Sequence, residues 1–465
     1  MSAPLWISAE IATAVGGVAS TDFAVSGVTF DSREVGAGDL FIALTGESTD
    51  GHRFVAGAFG NGATGAIVSQ PIEPPHVLVA DTTAALDALG RASRARTQAK
   101  IVGVTGSVGK TGTKEALAAA LDRGCRGRAH RSVKSYNNHT GVPLSLARMP
   151  AESRFGVFEM GMNHAGELAA LTRLVRPHVA IVTAIAPAHV AHFADEAAIA
   201  NAKGEIFQGL EPGGTAILPF DSPHRDRLVA AARPHAARVV TFGLGVDADV
   251  RAIEAMRAPH GGTFVTARVG VREVSFTVAA PGAHWVSNAL AILAAVDAVG
   301  GDLGLAGLAL GEMPGLPGRG ARVRVPVGDG AALVIDESYN ANPASMRATL
   351  AVLAQEKGRR LAVLGDMREL GDASAGYHAA LAEPIAETQL SFAILVGPEM
   401  AALAQALEGT VDFVHVPDAA AARDRLIAAL APGDAVLVKG SNAIGLSAIV
   451  AALGAQEGTR VGTAG

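Results

Sequence analysis

The run Val104-Thr105-Gly106-Ser107-Val108-Gly109-Lys110-Thr111 contains the residue types that grip a phosphate chain. Glycines let backbone N–H groups turn toward phosphate oxygens, Lys110 can reach the outer phosphates, and the Thr111 hydroxyl suits Mg²⁺ at a helix N-terminus. The strict G-x-x-x-x-G-K-[ST] spacing is broken, because Val104 stands where the first glycine would fall. What remains is the shorter Gly106-x-x-Gly109-Lys110-Thr111 form, which a plain glycine-rich strand-to-helix turn also satisfies. The apolar strand Lys100 to Val104 before it and the Leu117/Leu121 pair on the helix after it favour binding of a nucleoside triphosphate.

Three further residues could work with such a loop. Glu159 closes the apolar run Phe155 to Glu159, and a carboxylate at a strand end beside a phosphate loop is where nucleotide-bound Mg²⁺ finds a ligand; the plainer reading is a turn glutamate. His189 follows a third apolar run, Val179 to Ile185. With His192 it makes a pair too sparse for a zinc site, and polar loop residues are the alternative. Lys203 falls on the apolar stripe Ile199, Ile206 and Leu210 of a helix expected over Asp195 to Leu210, so it points inward. Burial favours a neutral, nucleophilic amine, which could take up CO₂ and become an anionic oxygen ligand for a second Mg²⁺; the alternative is a lysine snorkelling at the stripe's edge.

The elements that must position these residues alternate strand and helix, the pattern of a parallel sheet with ligands at strand C-termini. Residues 1–82 read as a small α/β module with strands at Asp39 to Ala43 and Ala66 to Ser69. A helix from Thr83 to Thr97 leads into the phosphate-loop strand, and the alternation continues to a helix over Asn288 to Val299. The Gly/Pro-rich stretch Met313 to Arg319 is the best linker. A last α/β unit has strands at Leu333 to Asp336, Leu361 to Gly365, Ala393 to Val396 and Ala435 to Lys439. The expected fold is therefore α/β in three domains, with boundaries 1–82, 83–316 and 317–465: a small N-terminal α/β domain, a central P-loop parallel sheet and a Rossmann-like C-terminal domain.

Composition narrows the function. The net charge is −6 with no basic stripe, which argues against nucleic acid. Cys125 is the only cysteine, so disulfide frameworks and Cys-type zinc sites are excluded and a reducing cytoplasm is the expected home. No signal-peptide pattern opens the chain, and no apolar run approaches the ~18 residues that span a bilayer. Gly243-x-Gly245-x-x-Ala248 after Val239 to Phe242 weakly suggests a dinucleotide fingerprint, with no acidic residue close to the expected spacing beyond it. Nothing demands more than a monomer.

Taken together, the phosphate loop, Asn137-Asn138-x-x-Gly141-Val-Pro143, Glu159-Met-Gly-Met-Asn163, Ala188-His189 and Ala202-Lys203-Gly-Glu-Ile-Phe207 resemble the Mur ligases, ATP-dependent enzymes that build the peptide stem of peptidoglycan. Asp31-Ser-Arg33, Gly38 to Leu44 and Asp50-Gly-His52 are similar to that family's UDP-sugar domain. Asp336-Glu-Ser-Tyr339-Asn340-Ala-Asn342-Pro343, Gly365-Asp-Met-Arg-Glu-Leu-Gly371 and Lys439-Gly-Ser441 resemble the C-terminal domain of the member that adds D-alanyl-D-alanine to UDP-N-acetylmuramoyl-tripeptide. The Asp-Asn-Pro-Arg string that marks diaminopimelate selection in the neighbouring member is missing. That neighbour, which adds the third stem residue, and a folate polyglutamate synthase-like ligase are the alternatives; a P-loop transport or motor ATPase is the rival from another class.

The resemblance implies roles residue by residue. ATP would be held by Thr105, Gly106, Ser107, Val108, Gly109, Lys110, Thr111, Gly112, Asn138, His284, Asn288, Arg319 and Asn340. Two Mg²⁺ would be held by Thr111, Glu159, His189 and Lys203 as a carbamate, and Lys110, Lys203, His189 and Glu159 would be catalytic. Ser32, Arg33, Thr45, Asp50 and His52 would face the UDP substrate, and Asn342, Lys439 and Ser441 the dipeptide. Three positions depart from the family pattern: Trp285 stands where asparagine is common, Asn442 where arginine is usual, and Glu337 for a frequent aspartate.

Overall fold

The computed structural model describes residues 3–46, 49–187, 190–258, 262–313 and 315–460. The strand Lys100–Thr105 lies third from one edge of a nine-stranded sheet, hydrogen-bonded in parallel to Phe155–Glu159 on one side and Val179–Val182 on the other. These strands are almost entirely buried, as expected of a parallel sheet covered on both faces. Thr215–Pro219, Arg238–Gly243 and Val250–Arg257 continue the parallel run. Thr263–Val269 and Arg272–Val278 then extend it as antiparallel strands.

A second sheet has five strands, in the spatial order Val18–Ala19, His76–Leu78, Gly65–Val68, Asp39–Ile42 and Gly27–Thr29. A third, of six strands, pairs Ala321–Val327 antiparallel with Gly330–Glu337 and continues in parallel through Ala435–Lys439, Arg360–Gly365, Phe392–Val396 and Phe413–Val416. The mixed α/β, three-domain organisation expected from the sequence is the one found.

Local chemistry explains where helices start. Asp81 accepts from the N–H groups of Thr83 and Ala84 and so opens Thr82–Arg96. Asn342 and Ser345 cap one another at Pro343–Leu353, with Pro343 in the first turn, where its missing N–H costs nothing. Side-chain caps of this kind are worth about 1 kcal/mol each. The helix Ala283–Ala298 is apolar nearly all round, and it is accordingly buried between the central sheet and Lys110–Cys125.

The units are joined by specific contacts. Helix Thr82–Arg96 packs on Gly141–Ala147, merging Ala85, Leu86 and Leu89 with Leu144 and Ala147 in one core. Trp6 Nε1 donates to the Ala147 carbonyl at 2.9 Å. On the other side the Ala191 N–H donates to the Glu369 carbonyl at 3.1 Å.

Three expectations differ in detail. The strand expected to reach Ile185 ends at Val182, because beyond it the chain turns to the phosphate loop: the Ala184 carbonyl accepts from Ser107 N–H and the Ala186 N–H donates to Ser107 Oγ. The helix expected over Asp195 to Leu210 is α-helical only to Gly204 and tightens to 3₁₀ geometry over Glu205–Gly209. The Gly243-x-Gly245 run leads into another strand rather than a helix, so it is no dinucleotide fingerprint.

Candidate active site

Gly106 and Gly109 take φ values of 151° and 82°, which is how the phosphate loop turns its amides. A Cβ on Gly106 would fall 1.9 Å from Thr183 Oγ1. That hydroxyl donates toward the Val108 carbonyl at 2.5 Å and lies 3.2 Å from the Thr105 carbonyl. Ser107 N–H donates to the Ala184 carbonyl at 2.8 Å, and Ser107 Oγ accepts from Ala186 N–H at 3.1 Å. The loop is thus stitched to the segment that follows the neighbouring strand.

Lys110 Nζ folds back onto the Gly106 carbonyl at 2.7 Å, and burial pulls its pKa down against the Glu159 charge. Thr111 Oγ1 donates to Glu159 Oε2 at 2.8 Å. Asn137 Nδ2 donates to the other oxygen, Oε1, at 2.7 Å. Glu159 is 1% exposed, so its carboxylate is held by these two donors within the protein interior. Asn138, by contrast, spends its Oδ1 on Gly141 N–H at the start of the next helix, 2.8 Å away. The double-Asn motif pointed to this loop; only the geometry separates the roles of its two members.

Lys203 is wholly buried, as its place on the apolar stripe predicts, and its Nζ has no hydrogen-bond partner among the described residues. Burial, reinforced by the Lys110 charge, drives its pKa well below the ordinary lysine value. His189 lies outside the described residues.

From the helix Ala283–Ala298, the Asn288 side chain abuts Gly109, where an added Cβ would meet its Oδ1 at 2.9 Å. Trp285 lies against Gly112 in the same way, 2.9 Å from a notional Cβ, so the tryptophan at this position fills core space above the loop. His284 and Trp285 share a small cavity with Pro281, Arg322, Ile335 and Glu337. Burial, with Lys439 nearby, lowers the His284 pKa to about 4, so its ring is neutral near pH 7.

The C-terminal sheet contributes from above. Arg319 stacks over the Tyr339 ring at 4.2 Å, and its Nη2 is 3.3 Å from Ser135 Oγ, beside Asn137. Asp336 fixes this turn by accepting from Gly318 N–H at 2.7 Å and Ser338 Oγ at 2.6 Å. Lys439 donates to the Asn340 carbonyl at 2.8 Å and lies 3.6 Å from Glu337. Burial raises the Glu337 pKa and lowers that of Lys439, and each charge opposes the other's shift. Asn340 Oδ1 accepts from Ala341 N–H, Asn342 caps its helix, and Ser441 Oγ accepts from Arg368 N–H at 3.0 Å.

The residues expected at a UDP-sugar form a separate group. Arg33 pairs with Asp31, whose pKa falls to about 2 chiefly through that bond. Thr45 and Asp50 bridge across one loop. Asp50 Oδ1 meets His52 Nδ1 at 2.7 Å, and His52 Nε2 accepts from Ser69 N–H at 2.9 Å. Ser32 offers its carbonyl to Asn61 Nδ2.

Residues 24–123 match the Mur ligase family catalytic domain, 104–296 the Mur ligase middle domain and 319–442 the Mur ligase glutamate ligase domain. The chain is 34% identical to the UDP-N-acetylmuramoyl-tripeptide--D-alanyl-D-alanine ligase of Escherichia coli, across 94% of this chain and 96% of that one. It superposes on MurF from Acinetobacter baumannii with a TM-score of 0.83 and 32% identity, covering 97% and 99% of the two chains. MurF ligase from Thermotoga maritima, solved in complex with ADP, superposes with a TM-score of 0.76 at 25% identity, over 93% and 98%. On the length of these matches and the site they enclose, the chain belongs to the Mur ligase family.

Proposed function

We propose that this chain joins D-alanyl-D-alanine to UDP-N-acetylmuramoyl-tripeptide at the expense of ATP, the reaction named by the relatives it matches from end to end. Neither the third-residue ligase nor the folate-type ligase is favoured, since those structures share only 18% identity with this chain. The reading carries with it cytoplasmic peptidoglycan precursor synthesis by a monomer, with domain divisions at 82/83 and 316/317. Among the described residues no helix is long and apolar enough to cross a membrane.

A carboxylate is a poor electrophile toward an amine, and phosphorylation corrects this. The tripeptide carboxylate attacks the γ-phosphorus of ATP, ADP leaves, and an acyl phosphate forms. The dipeptide amine then attacks the acyl carbon, and phosphate departs as the amide forms. A free α-amine has a pKa of about 7.7–8.0, so a useful neutral fraction exists near neutral pH without a dedicated base. Negative charge accumulates on the phosphoryl oxygens, and offsetting it is the main demand of the first step.

The chain's own residues are suited to that demand. Loop amides and Lys110 would cradle the outer phosphates, and Lys110 must leave the Gly106 carbonyl to do so. Thr111 and Glu159 form an all-oxygen pair that fits Mg²⁺, with His189 as a further ligand. Bound there, Mg²⁺ would neutralise phosphoryl charge. The observation that carries a second Mg²⁺ is the Lys203 amine, which has no hydrogen-bond partner among the described residues: with its pKa driven well down by burial and the Lys110 charge, it can add CO₂ and lose a proton to become an anionic oxygen donor. Arg319 would reach ATP phosphate, the His284 cavity would take the adenine side, and Asn288 would steady the loop. Lys439, Ser441 and Asn342 line the expected dipeptide side, and Ser32, Arg33, Thr45, Asp50 and His52 the UDP side.

The test is to supply ATP, Mg²⁺, UDP-N-acetylmuramoyl-tripeptide and D-Ala-D-Ala, omitting each in turn. ADP release that requires both co-substrates supports the ligase. Release indifferent to both would remove it in favour of a plain ATPase.

A further inference from the structure

Lys114 is a fully buried cation that none of the roles above uses. It lies one turn along the helix from Lys110, and its Nζ donates to two carbonyls of a different segment: Ser132 at 2.8 Å and Lys134 at 2.8 Å. Glu115 Oε1, at 2.6 Å, supplies the countercharge. A buried ammonium is tolerated only when paired and hydrogen-bonded, so this geometry needs the two carbonyls where they are. The backbone between them is constrained as well, since Lys134 takes a left-handed φ of 52°.

The clamped segment, residues 132–138, reaches Glu159, Arg319 and the N-terminal module. Ser132 Oγ accepts from the Glu159 N–H at 3.1 Å, and Asn137 Nδ2 donates to the Glu159 carboxylate at 2.7 Å. Gly161 N–H donates to the Asn137 carbonyl at 2.8 Å. Ser135 Oγ lies 3.3 Å from Arg319 of the C-terminal sheet. Tyr136 and Lys134 both contact Glu34 of the N-terminal module, the tyrosine at 3.1 Å. One short loop therefore touches all three units, and Lys114 is the cation that clamps its backbone from within the central domain.

We propose that Lys114 is a positioning residue for the ligase reaction: by clamping the Ser132 and Lys134 carbonyls it fixes the loop that aims Asn137 at Glu159 and Ser135 at Arg319. The proposal rests on the ligase reading. Its action on Mg²⁺ binding runs through Asn137 and Glu159, so in the Mg²⁺ requirement losing the clamp and losing Asn137 are the same injury. Lys114→Met keeps the stem and removes the donors; Lys114→Gln is the milder partner that retains an amide.

The experiment compares wild type, both Lys114 variants, Asn137→Ala and the Lys114→Met/Asn137→Ala double variant. It reads amide hydrogen exchange over residues 132–138 without ligand, and the Mg²⁺ concentration for half-maximal ADP release with both co-substrates present. Expected are faster exchange confined to that loop and a Mg²⁺ requirement raised about tenfold in Lys114→Met, the scale of one charge-assisted hydrogen bond. The double variant should be little worse than Asn137→Ala alone, because residues acting through one contact are not additive. Unchanged loop exchange, a Mg²⁺ requirement within about twofold of wild type, or additive losses would overturn the proposal. Loss of the folded state in both Lys114 variants would assign the residue to stability and overturn it equally. A wild-type protein that forms no amide product refutes the ligase reading itself, while the loop exchange still reports on the clamp.

Discussion

Replacing Lys203 with methionine separates what this residue costs the fold from what it supplies to the chemistry. Its amine is wholly buried with no partner among the described residues. A buried donor left unpaired costs about 1–3 kcal/mol, and more when charged, whereas methionine fills a similar volume without a polar donor. Lys203→Met should therefore stabilise the unliganded central domain by about 1–3 kcal/mol, or roughly 2–4 °C in Tm per kcal/mol. The comparison belongs in CO₂-free, Mg²⁺-free buffer, where the amine is unmodified. Because the folded pKa is lowered, the unfolded chain binds more protons between that value and about 10.4, so wild-type stability rises with pH across the window. The variant lacks that rise, and its advantage should shrink as pH climbs toward 10. Its turnover should be abolished; Lys203→Ala should lose turnover as well but recover part of it with short carboxylic acids that fit the space alanine vacates. Thermal melts at several pH values and ADP release are the assays. A variant less stable than wild type across the whole range, or one with turnover near that of wild type, would refute the reasoning.

Gly106→Ala places a methyl 1.9 Å from Thr183 Oγ1 at a φ of 151°, so strain of about 1–3 kcal/mol plus a displaced hydroxyl should raise the KM for ATP steeply; adding Thr183→Ala should recover the clash but not the backbone strain. Trp285→Asn, which restores the family's usual residue, should destabilise by about 3–5 kcal/mol by emptying the space over Gly112 rather than improve nucleotide binding, as a chemical melt would report. The lowered His284 pKa means the unfolded chain binds more protons between about 4 and 6.5, so stability falls as pH drops through that window. His284→Gln should flatten that slope, and an unaltered acid limb in the pH-stability curve would contradict it.

The sequence made the site legible wherever chemistry and periodicity coincide. Lys203 could be placed inside because helical spacing puts it on the stripe of Ile199 and Ile206, and both of those side chains are buried with it. Glu159 could be placed beside the phosphate loop because apolar strands end where polar residues begin, and the register sets it opposite Val104. The antiparallel strands Thr263–Val269 and Arg272–Val278 do alternate apolar and polar residues, as Val265-Thr-Ala-Arg-Val269 and Val274-Ser-Phe-Thr-Val278, with the apolar side chains the more buried, but a hairpin there breaks the strand–helix alternation expected of the central unit. Asn137 sits in a motif that gives it no separate role, and Lys114 carries no motif signal. Both act on backbone or side-chain atoms brought together only by the fold, and a lysine beside a glutamate on a helix reads as a solvated pair.

The most direct test of the central claim follows the tripeptide carboxylate itself. UDP-N-acetylmuramoyl-tripeptide carrying heavy oxygen in its terminal carboxylate is incubated with ATP, Mg²⁺ and D-Ala-D-Ala, and the phosphate and nucleotide-linked peptide are analysed by mass. The account predicts one labelled oxygen transferred to phosphate for each pentapeptide formed, because that oxygen bridges carbon and phosphorus in the acyl phosphate. Unlabelled phosphate would contradict it, whether or not ATP is consumed.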